Sequence, residues 1–336
     1  MKNIIKLFIL LLILSSNLYS QNKLDNKGRK QGYWSKEYSN GNKIYEGSFK
    51  DDYQEGLFTY YYEDGTIKAK TNFSNKGSIA ETQTFYPNSK LMSKGKYIDK
   101  KKHGVWELYD EEGKKLKNEE YNKGVKQGTW KVWDKNDILV ESIQYDKDLR
   151  NGVYYKNFYN KGFHYFTYKD DKKHGLYEDY YYFEKLRIKG EYALDKREGN
   201  WSYFDSIGNI AKKQVWRNDT LIEETLRIDY GNKQEYIKSS DIAYIYPKGK
   251  KLFITMKNSK GFDAINDFEE FLSLLSIDEF ILLNKQYKIY SRLESIKSIE
   301  PAPKDQYYII LEPKSPTPII SDKESKMAME SLFLNK

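Results

Sequence analysis

A ladder of eight evenly spaced aromatic residues constrains this chain more than any other feature. Six of its steps are 24 residues long, and one, between Tyr145 and Tyr168, is 23 residues long. The members are Phe49, Phe73, Tyr97, Tyr121, Tyr145, Tyr168, Tyr192 and Trp216. Because a fixed period of this size is the signature of a structural repeat, the ladder predicts a tandem array over residues 25–220.

A second ladder, mostly of glycines, keeps the same steps and the same single deletion. It consists of Gly32, Gly56, Ala80, Gly104, Gly128, Gly152, Gly175 and Gly199. Two residues after these positions stand Trp34, Phe58, Thr82, Trp106, Trp130, Tyr154, Tyr177 and Trp201. We expect the glycines to mark positive φ or a close backbone approach at loop-to-strand junctions. Ala80 and Thr82 interrupt both columns, so the third repeat is predicted to be the weakest or locally distorted.

Each repeat has the pattern of a β-hairpin followed by a polar connection. In the repeat at residues 45–65, the run from Gly56 to Tyr62 is aromatic and strand-forming, and Glu63-Asp64-Gly65 is a hairpin turn signal. A single hairpin is marginally stable in water, but stacked hairpins cover one another's edges. The sequence therefore predicts a mainly β fold, an elongated antiparallel meander of about eight 24-residue β-hairpin repeats with the ladder aromatics in one core strip.

Composition narrows the class of protein. Aromatic residues make up 16% of the chain, charged residues 32%, and the formal net charge is +8. This balance is not typical of disordered or membrane proteins, and the mixed distribution of charge predicts no nucleic-acid groove. The absence of cysteine excludes disulfides, a thiol nucleophile and cysteine-ligated zinc.

Residues 1–20 have the pattern of a secretory signal peptide. Lys2 and Lys6 precede an apolar run from Leu7 to Leu14, and a polar segment ends at Ser20. The apolar run is shorter than the roughly 20 residues that a membrane-spanning helix needs, so we expect cleavage and no integral membrane segment afterwards.

The remainder of the chain is predicted to hold a second, smaller domain. Residues 221–240 are expected to be an irregular bridge or cap, 241–312 a small α+β domain, and 313–336 a flexible tail. Apolar residues spaced by three and four predict one helix over residues 263–276. The predicted strands are 241–246, 252–256, 280–283, 287–290, 295–299 and 307–311.

The array resembles the MORN repeat family. The resemblance is carried by Tyr45-Glu-Gly-Ser-Phe-Lys-Asp51, by Gly56-Leu-Phe-Thr-Tyr60 and by the Asp64-Gly65 turn. Units such as Gly104-Val-Trp are similar to the bacterial variant found in exported proteins and in YwqK-type antitoxins. The resemblance implies a β-hairpin meander that acts in protein contact or scaffolding.

Choline-binding repeats share the aromatic hairpin but have a shorter period. From Phe280 to Leu311 the order of elements, and above all Glu294-Ser-Ile-Lys-Ser-Ile-Glu300, resembles the plug region of TonB-dependent outer-membrane transporters.

Residues able to support catalysis or metal binding are few. His103 and His174 occupy equivalent positions three repeats apart, and His164 lies in an aromatic strand. The acidic pairs Asp51-Asp52 and Asp170-Asp171 recur wherever the loop recurs, as solvated turn residues do. We therefore predict a non-enzymatic protein with no catalytic residues, no cofactor and no metal.

The sequence favours a binding role on an outward sheet face. The residues predicted to point outward and bind are Trp34, Tyr61, Trp106, Trp133 and Tyr181. The first hypothesis is an exported scaffold for protein–protein interaction at the bacterial cell envelope, in the periplasm, associated with the outer membrane, or extracellular. Two alternatives stay open: binding of envelope or extracellular glycan through surface tyrosines, and an antitoxin or immunity function. No nucleic-acid partner is expected.

Overall fold

The structure, a computed structural model, describes residues 22–249, 251–276, 279–316, 318–322, 325–327 and 329. The predicted signal peptide, residues 1–20, lies outside the described residues. The fold is mainly β, with an antiparallel meander of 19 strands among these residues and a small C-terminal α+β region. The predicted fold class is confirmed.

The chain divides into two compact units. Unit 1 holds the residues up to Phe158 together with Thr167–Lys172, and unit 2 holds Tyr159–Phe166 and the residues from Lys173 onward. The division falls beside the single-residue deletion in the ladder, whereas the sequence suggested a boundary near residue 220.

Unit 1 contains twelve consecutive strands within its described residues, each paired antiparallel with the next. They are β1 (Lys23–Leu24), β2 (Lys30–Glu37), β3 (Lys43–Lys50), β4 (Tyr53–Tyr61), β5 (Ile67–Ser74), β6 (Ile79–Phe85), β7 (Leu91–Ile98), β8 (Lys101–Tyr109), β9 (Lys115–Asn122), β10 (Val125–Trp133), β11 (Leu139–Asp146) and β12 (Leu149–Asn157).

The meander's later strands lie mostly in unit 2. They are β13 (Phe163–Lys169) and β14 (Lys172–Tyr180), which both have residues in both units, β15 (Leu186–Ala193), β16 (Lys196–Phe204), β17 (Ile210–Arg217), β18 (Thr220–Tyr230) and β19 (Lys233–Lys238). Strands β18 and β19 occupy residues 221–240, the segment expected to be an irregular bridge or cap. Leu226 and Ile228 alternate there with polar residues, as a half-buried strand requires.

The polar connections between repeats are tight turns and not loops. Asp51 and Asp52 have φ of 53° and 70°, and Asp170 and Asp171 have φ of 49° and 67°. Two successive positive φ values define the type I′ turn, which matches the twist of paired strands. Each Asp at the second position faces the previous repeat: Asp52 Oδ1 accepts from Lys30 N at 2.8 Å. The acidic pairs are therefore turn residues, as the sequence indicated.

The ladder glycines have the predicted positive φ, but they lie inside strands. Gly56 has φ of 69° within β4. Near it Glu46 pairs with Thr59 and Ser48 with Glu55, so β4 contains two extra residues relative to β3. Ala80 shows no such shift, because β5 and β6 pair in uninterrupted register. The third repeat thus differs from its neighbours, but its strand pairing is more regular than theirs.

Strand alternation gives the sheet of unit 1 two distinct faces. Phe58 pairs with Thr71 and Gly56 with Phe73, so the ladder aromatics and the column beside them share one side, here called the aromatic face. Leu57 and its partner Asn72 point to the opposite side, here called the charged face.

The aromatic face forms the predicted core strip. The fully buried Phe58 lies edge-on between Phe49 and Phe73, with both ring centroids at 5.2 Å. Trp130 packs between Tyr121, at 5.2 Å, and Tyr145, at 5.0 Å, with its ring tilted to both. Edge-to-face pairs of this kind add to the energy of burial. In the third repeat Thr82 stands in place of a ring, and its hydroxyl oxygen lies 3.0 Å from that of Thr71.

The C-terminal α+β region of unit 2 contains two small sheets, a helix at Phe268–Leu274 and helical residues at 325–327. A five-stranded sheet has the order β22-β21-β20-β24-β23, and a three-stranded sheet has the order β25-β26-β27. The elements are β20 (Ile242–Lys248), β21 (Lys251–Met256), β22 (Gly261–Ala264), α1 (Phe268–Leu274), β23 (Phe280–Asn284), β24 (Ile289–Arg292), β25 (Ile296–Ala302), β26 (Gln306–Leu311) and β27 (Ile319–Ser321).

Two predictions for this region need correction. The predicted helix over 263–276 begins only at Phe268, because Asp263 and Ala264 pair with Phe253 and Leu252 in a strand. Asp267 caps the helix, its side chain accepting from Glu270 N at 2.9 Å. Within the tail expected to be flexible, Ile319–Ser321 forms a strand paired with β26.

Candidate functional site

Trp106, predicted to point outward, is buried, with 3% of its surface exposed. It belongs to the aromatic face: its ring lies 4.7 Å from that of Tyr97 and covers Gly95, where a Cβ would come within 2.2 Å of the ring. Trp34 occupies the equivalent position in the first repeat and is half-buried, donating from Nε1 to the Gln31 carbonyl at 3.2 Å. The outward orientation expected for Trp106 was wrong, because strand alternation places it with the ladder.

The other three predicted residues are half-buried, and two of them tie neighbouring strands or repeats together. Tyr61 donates to Glu46 Oε1 at 2.5 Å, and Tyr181 donates to the Phe204 carbonyl at 2.9 Å. Trp133 has the ammonium group of Lys115 5.9 Å from its ring centroid. The structure does not bring the five residues into one cluster: they lie in separate repeats and on different parts of the sheet. A binding role for them stays a prediction.

A groove on the charged face of unit 1 is a stronger candidate for a binding surface. It has a volume of about 770 Å³ and extends over strands β4 to β8. Leu57 and Val105 stand at its two ends, 58% and 54% exposed. Four strand spacings separate β4 from β8, so these two side chains are roughly 19 Å apart.

Two rows of polar side chains cross the groove between Leu57 and Val105. Strand register places Asn72, Glu81 and Lys96 in one row. The second row contains Lys70, Gln83, Lys94 and Glu107. All these residues line the groove, and they present side chains of both charges to solvent.

The charges in the groove fall into a paired set and a set without ion pairs. Glu107 contacts the ammonium groups of both Lys94 and Lys115 at 2.5 Å. Lys115 and Lys94 lower the pKa of the Glu107 carboxyl to about 2. Within the part of the chain that the structure describes, Lys70, Lys96 and Glu81 form no ion pair. These three groups are therefore available to a ligand.

A second exposed surface lies in unit 2 at two neighbouring hairpin turns. Tyr159 and Tyr165 belong to the first turn and the strand after it, and Tyr182 and Phe183 to the second. All four rings are exposed. This group is called the aromatic patch.

The described residues contain no group of three or more His, Asp or Glu side chains arranged to hold a metal ion. His103 lies at the groove, where its Nδ1 accepts from Lys123 N at 3.3 Å. The absence of enzymatic activity and of cofactors stays a prediction. Among the same residues, no helix has the length and apolar character needed to cross a membrane.

The residues predicted from the sequence did not include Leu57, Val105, Tyr182 and Phe183. Leu57 and Val105 directly follow a ladder glycine, so they could have been found by assigning the ladder to one face and the next residue to the other. Tyr182 and Phe183 could have been found by comparing the turns of all repeats position by position.

A further missed feature is a basic residue two positions before most ladder glycines. Lys126 lies over the rings of Trp130 and Tyr145, each at 4.9 Å, and Arg197 lies over Trp216 at 3.3 Å. The series is Lys30, Lys102, Lys126, Arg150, Lys173 and Arg197. These cations cover the aromatic face and stabilise it.

The hairpin of β4 and β5 matches a known family. Residues 54–75 match the family model described as the MORN repeat variant. No curated protein matches the chain. Among solved structures, the chain is similar to the LytTr DNA-binding domain of a putative methyl-accepting/DNA response regulator from Bacillus cereus, at 16% identity, over 32% of this chain and 95% of that chain, with a TM-score of 0.27.

Proposed function

We propose that this chain is a non-enzymatic repeat protein that binds another protein on the charged face of unit 1. The observation that carries the proposal is the groove, in which exposed apolar ends flank the unpaired charges of Lys70, Lys96 and Glu81. Contact surfaces combine an apolar anchor with polar groups that fix the partner's register. The MORN variant match at residues 54–75 supports a binding role, since these residues form the hairpin that carries Leu57.

The groove proposal predicts that a double change, Leu57→Asp with Val105→Asp, removes partner capture. A charge at each apolar end would have to be desolvated on binding, so we expect at least a tenfold loss of affinity. The measurement is cross-linked capture from a cell-envelope extract, followed by titration of the captured protein against each variant.

Val153→Asp is the matched control. Val153 follows a ladder glycine as Val105 does, two repeats later, and is also exposed, but it lies outside the groove. It should retain capture. Equal loss with Val153→Asp would show that the groove is not the site, and an unchanged affinity of the Leu57/Val105 variant would refute the proposal. A captured toxin would assign the chain to the YwqK-type antitoxin class.

We place this function at the bacterial cell envelope or outside the cell, on the basis of the leader at residues 1–20. Its basic start and short apolar run are typical of a cleaved signal. Fractionation of cells should find the protein outside the cytoplasm, with an N-terminus near Gln21. Deleting residues 2–20 should leave it in the cytoplasm, and an uncleaved cytoplasmic wild-type protein would contradict this placement.

A further inference from the structure

Two adjacent hairpin turns of unit 2 present an unusual number of exposed aromatic rings. Tyr182 is 66% exposed and Tyr159 is 53% exposed, and Tyr165 and Phe183 are exposed as well. Single exposed apolar side chains are normal on a protein surface, but a contiguous group marks a site of interaction.

The rings of the patch are held in fixed orientations by one another. Tyr181 stacks on Phe183 with the ring planes 2° apart and the centroids 5.2 Å apart, and Tyr182 meets Phe183 edge-on at 4.9 Å. In the neighbouring turn, Tyr165 lies edge-on to Tyr180 at 6.1 Å. Since the hydroxyl of Tyr181 is bonded to the Phe204 carbonyl, the stack is fixed to the adjacent repeat.

The two turns that carry the aromatic patch are in direct contact. Arg187 Nη1 donates to the Lys161 carbonyl at 3.2 Å. Gly162 lies against the main chain of the next turn: a Cβ placed on it would come within 1.9 Å of the Tyr180 carbonyl oxygen. Only a glycine permits this approach.

Comparison among the repeats shows that the hairpin turn does not require the ring of Tyr182. The same hydrogen bond closes each turn, from Glu184 N to the Tyr181 carbonyl here and from Gly65 N to the Tyr62 carbonyl in the second repeat. Tyr182 is thereby equivalent to Glu63. The residues at the same place in the other turns of this type are Ser39, Pro87, Glu111, Lys135, Asn160 and Ser206. Tyr182 therefore departs from the residues found at this place in the other turns, and the turn does not need its ring in order to form.

We propose that the aromatic patch is a carbohydrate-binding site that stacks the rings of a neutral polysaccharide. The face of an aromatic ring carries partial negative charge and attracts the polarised C–H groups that a sugar ring presents on its apolar side. The patch contains aromatic and not aliphatic side chains, as such stacking requires. This proposal is independent of the groove in unit 1.

Polar groups beside the rings are suited to bind sugar hydroxyls. The Glu178 carboxylate accepts from the Tyr180 hydroxyl at 2.9 Å and from Lys189 at 3.0 Å, and Glu184 and Lys185 stand in the turn itself. Cations and carboxylates are nearly balanced here. A single-stranded nucleic acid would need a strongly positive surface beside its stacking platform, so a neutral glycan fits better.

The test is affinity electrophoresis of the purified protein through gels containing laminarin, xylan or hydroxyethyl cellulose. The variant Tyr182→Glu with Phe183→Asp introduces the pair that the second repeat holds at the same turn, Glu63-Asp64, so it should fold. We expect retardation of the wild type by at least one polysaccharide and at least a tenfold weaker affinity for the variant. Tyr159→Ser, a change in the other turn, should weaken binding too.

Tyr53→Glu, which alters an exposed tyrosine of unit 1, is the matched control and should bind as the wild type does. The Leu57/Val105 variant should also keep its sugar affinity, which separates this site from the groove. Absence of retardation by all three polysaccharides would overturn the proposal, and so would equal retardation of wild type and patch variants. Binding of oligo-dT that is lost in the patch variants, without sugar binding, would assign the patch to nucleic acid instead.

Discussion

Replacing Trp106 by alanine is expected to lower the free energy of unfolding of unit 1 by about 3–5 kcal/mol, the usual cost of removing a buried aromatic side chain. The indole ring is 3% exposed, meets Tyr97 edge-on and lies flat over Gly95. Its Nε1 donates to the Lys96 carbonyl at 3.2 Å, and Lys102 lies 4.8 Å from the ring. All of these contacts disappear with the ring.

Val105→Ala provides the control at the next residue in the chain. Its side chain is on the charged face and largely exposed, so the change should stay within about 0.5 kcal/mol. Urea unfolding followed by circular dichroism measures both variants. Comparable losses at Trp106 and Val105 would contradict the assignment of the two faces.

Gly95→Ala tests the same contact from the other side, because a Cβ there would lie 2.2 Å from the Trp106 ring. Overpacking of this kind costs about 1–3 kcal/mol. When Trp106 is already alanine the clash is gone, so the same glycine change should become nearly neutral. The resulting coupling in a double-mutant cycle measures the contact directly.

The fold of the array was predictable because the repeat supplies the same information many times. The 24-residue period, the turn signal Asp64-Gly65 and the positive φ of Gly56 each follow from local chemistry that is repeated in the chain. What the period cannot give is the face on which an aromatic residue lies. Aromatic residues occur on both sides of these strands, so the sequence did not show which of Trp106 and Tyr61 points outward.

The register shift beside the ladder glycines could not be predicted from the sequence for a related reason. Positive φ at Gly56 was expected, but whether it ends a strand or interrupts one depends on pairing with β3. The start of the helix was placed too early because Phe262 and Ile265 have the three-residue spacing of a helix face, but Phe262 is held in β22 by its pairing with Ile254 of β21. Long-range pairing decided both outcomes.

A buried polar network in unit 2 joins the last hairpins to the end of α1. Glu224 accepts from Gln214 Nε2 at 2.6 Å and from the Ser276 hydroxyl at 2.8 Å. Lys212 donates to the Leu274 carbonyl at 2.7 Å and lies 3.7 Å from Glu224. The side chain of Glu224 is 1% exposed, so the energetic cost of burying its charge must be offset by these partners.

Glu224→Ala is expected to destabilise unit 2 by about 3–5 kcal/mol, because it leaves the buried ammonium group of Lys212 without its counter-charge. Glu223→Ala is the control at the adjacent position: Glu223 pairs with Lys238 at 2.7 Å, but both groups are exposed, so the loss should be about 0–1 kcal/mol. Urea unfolding, followed at a probe in unit 2, distinguishes the two. A small effect at Glu224 would show that the network contributes little to stability.

The deficit of Glu224→Ala should shrink as the pH rises from 7 to 10. Burial lowers the pKa of Lys212, and Glu224 opposes that shift. Without the carboxylate the pKa falls further, so the folded state holds the proton less tightly than the unfolded state, whose pKa is about 10.4. The penalty is therefore full at low pH and is relieved as the folded ammonium group loses its proton. Adding Lys212→Met to Glu224→Ala should recover part of the lost stability at pH 7 and abolish this pH dependence, whereas a deficit that is unchanged with pH would show that Lys212 is not the charge left unpaired.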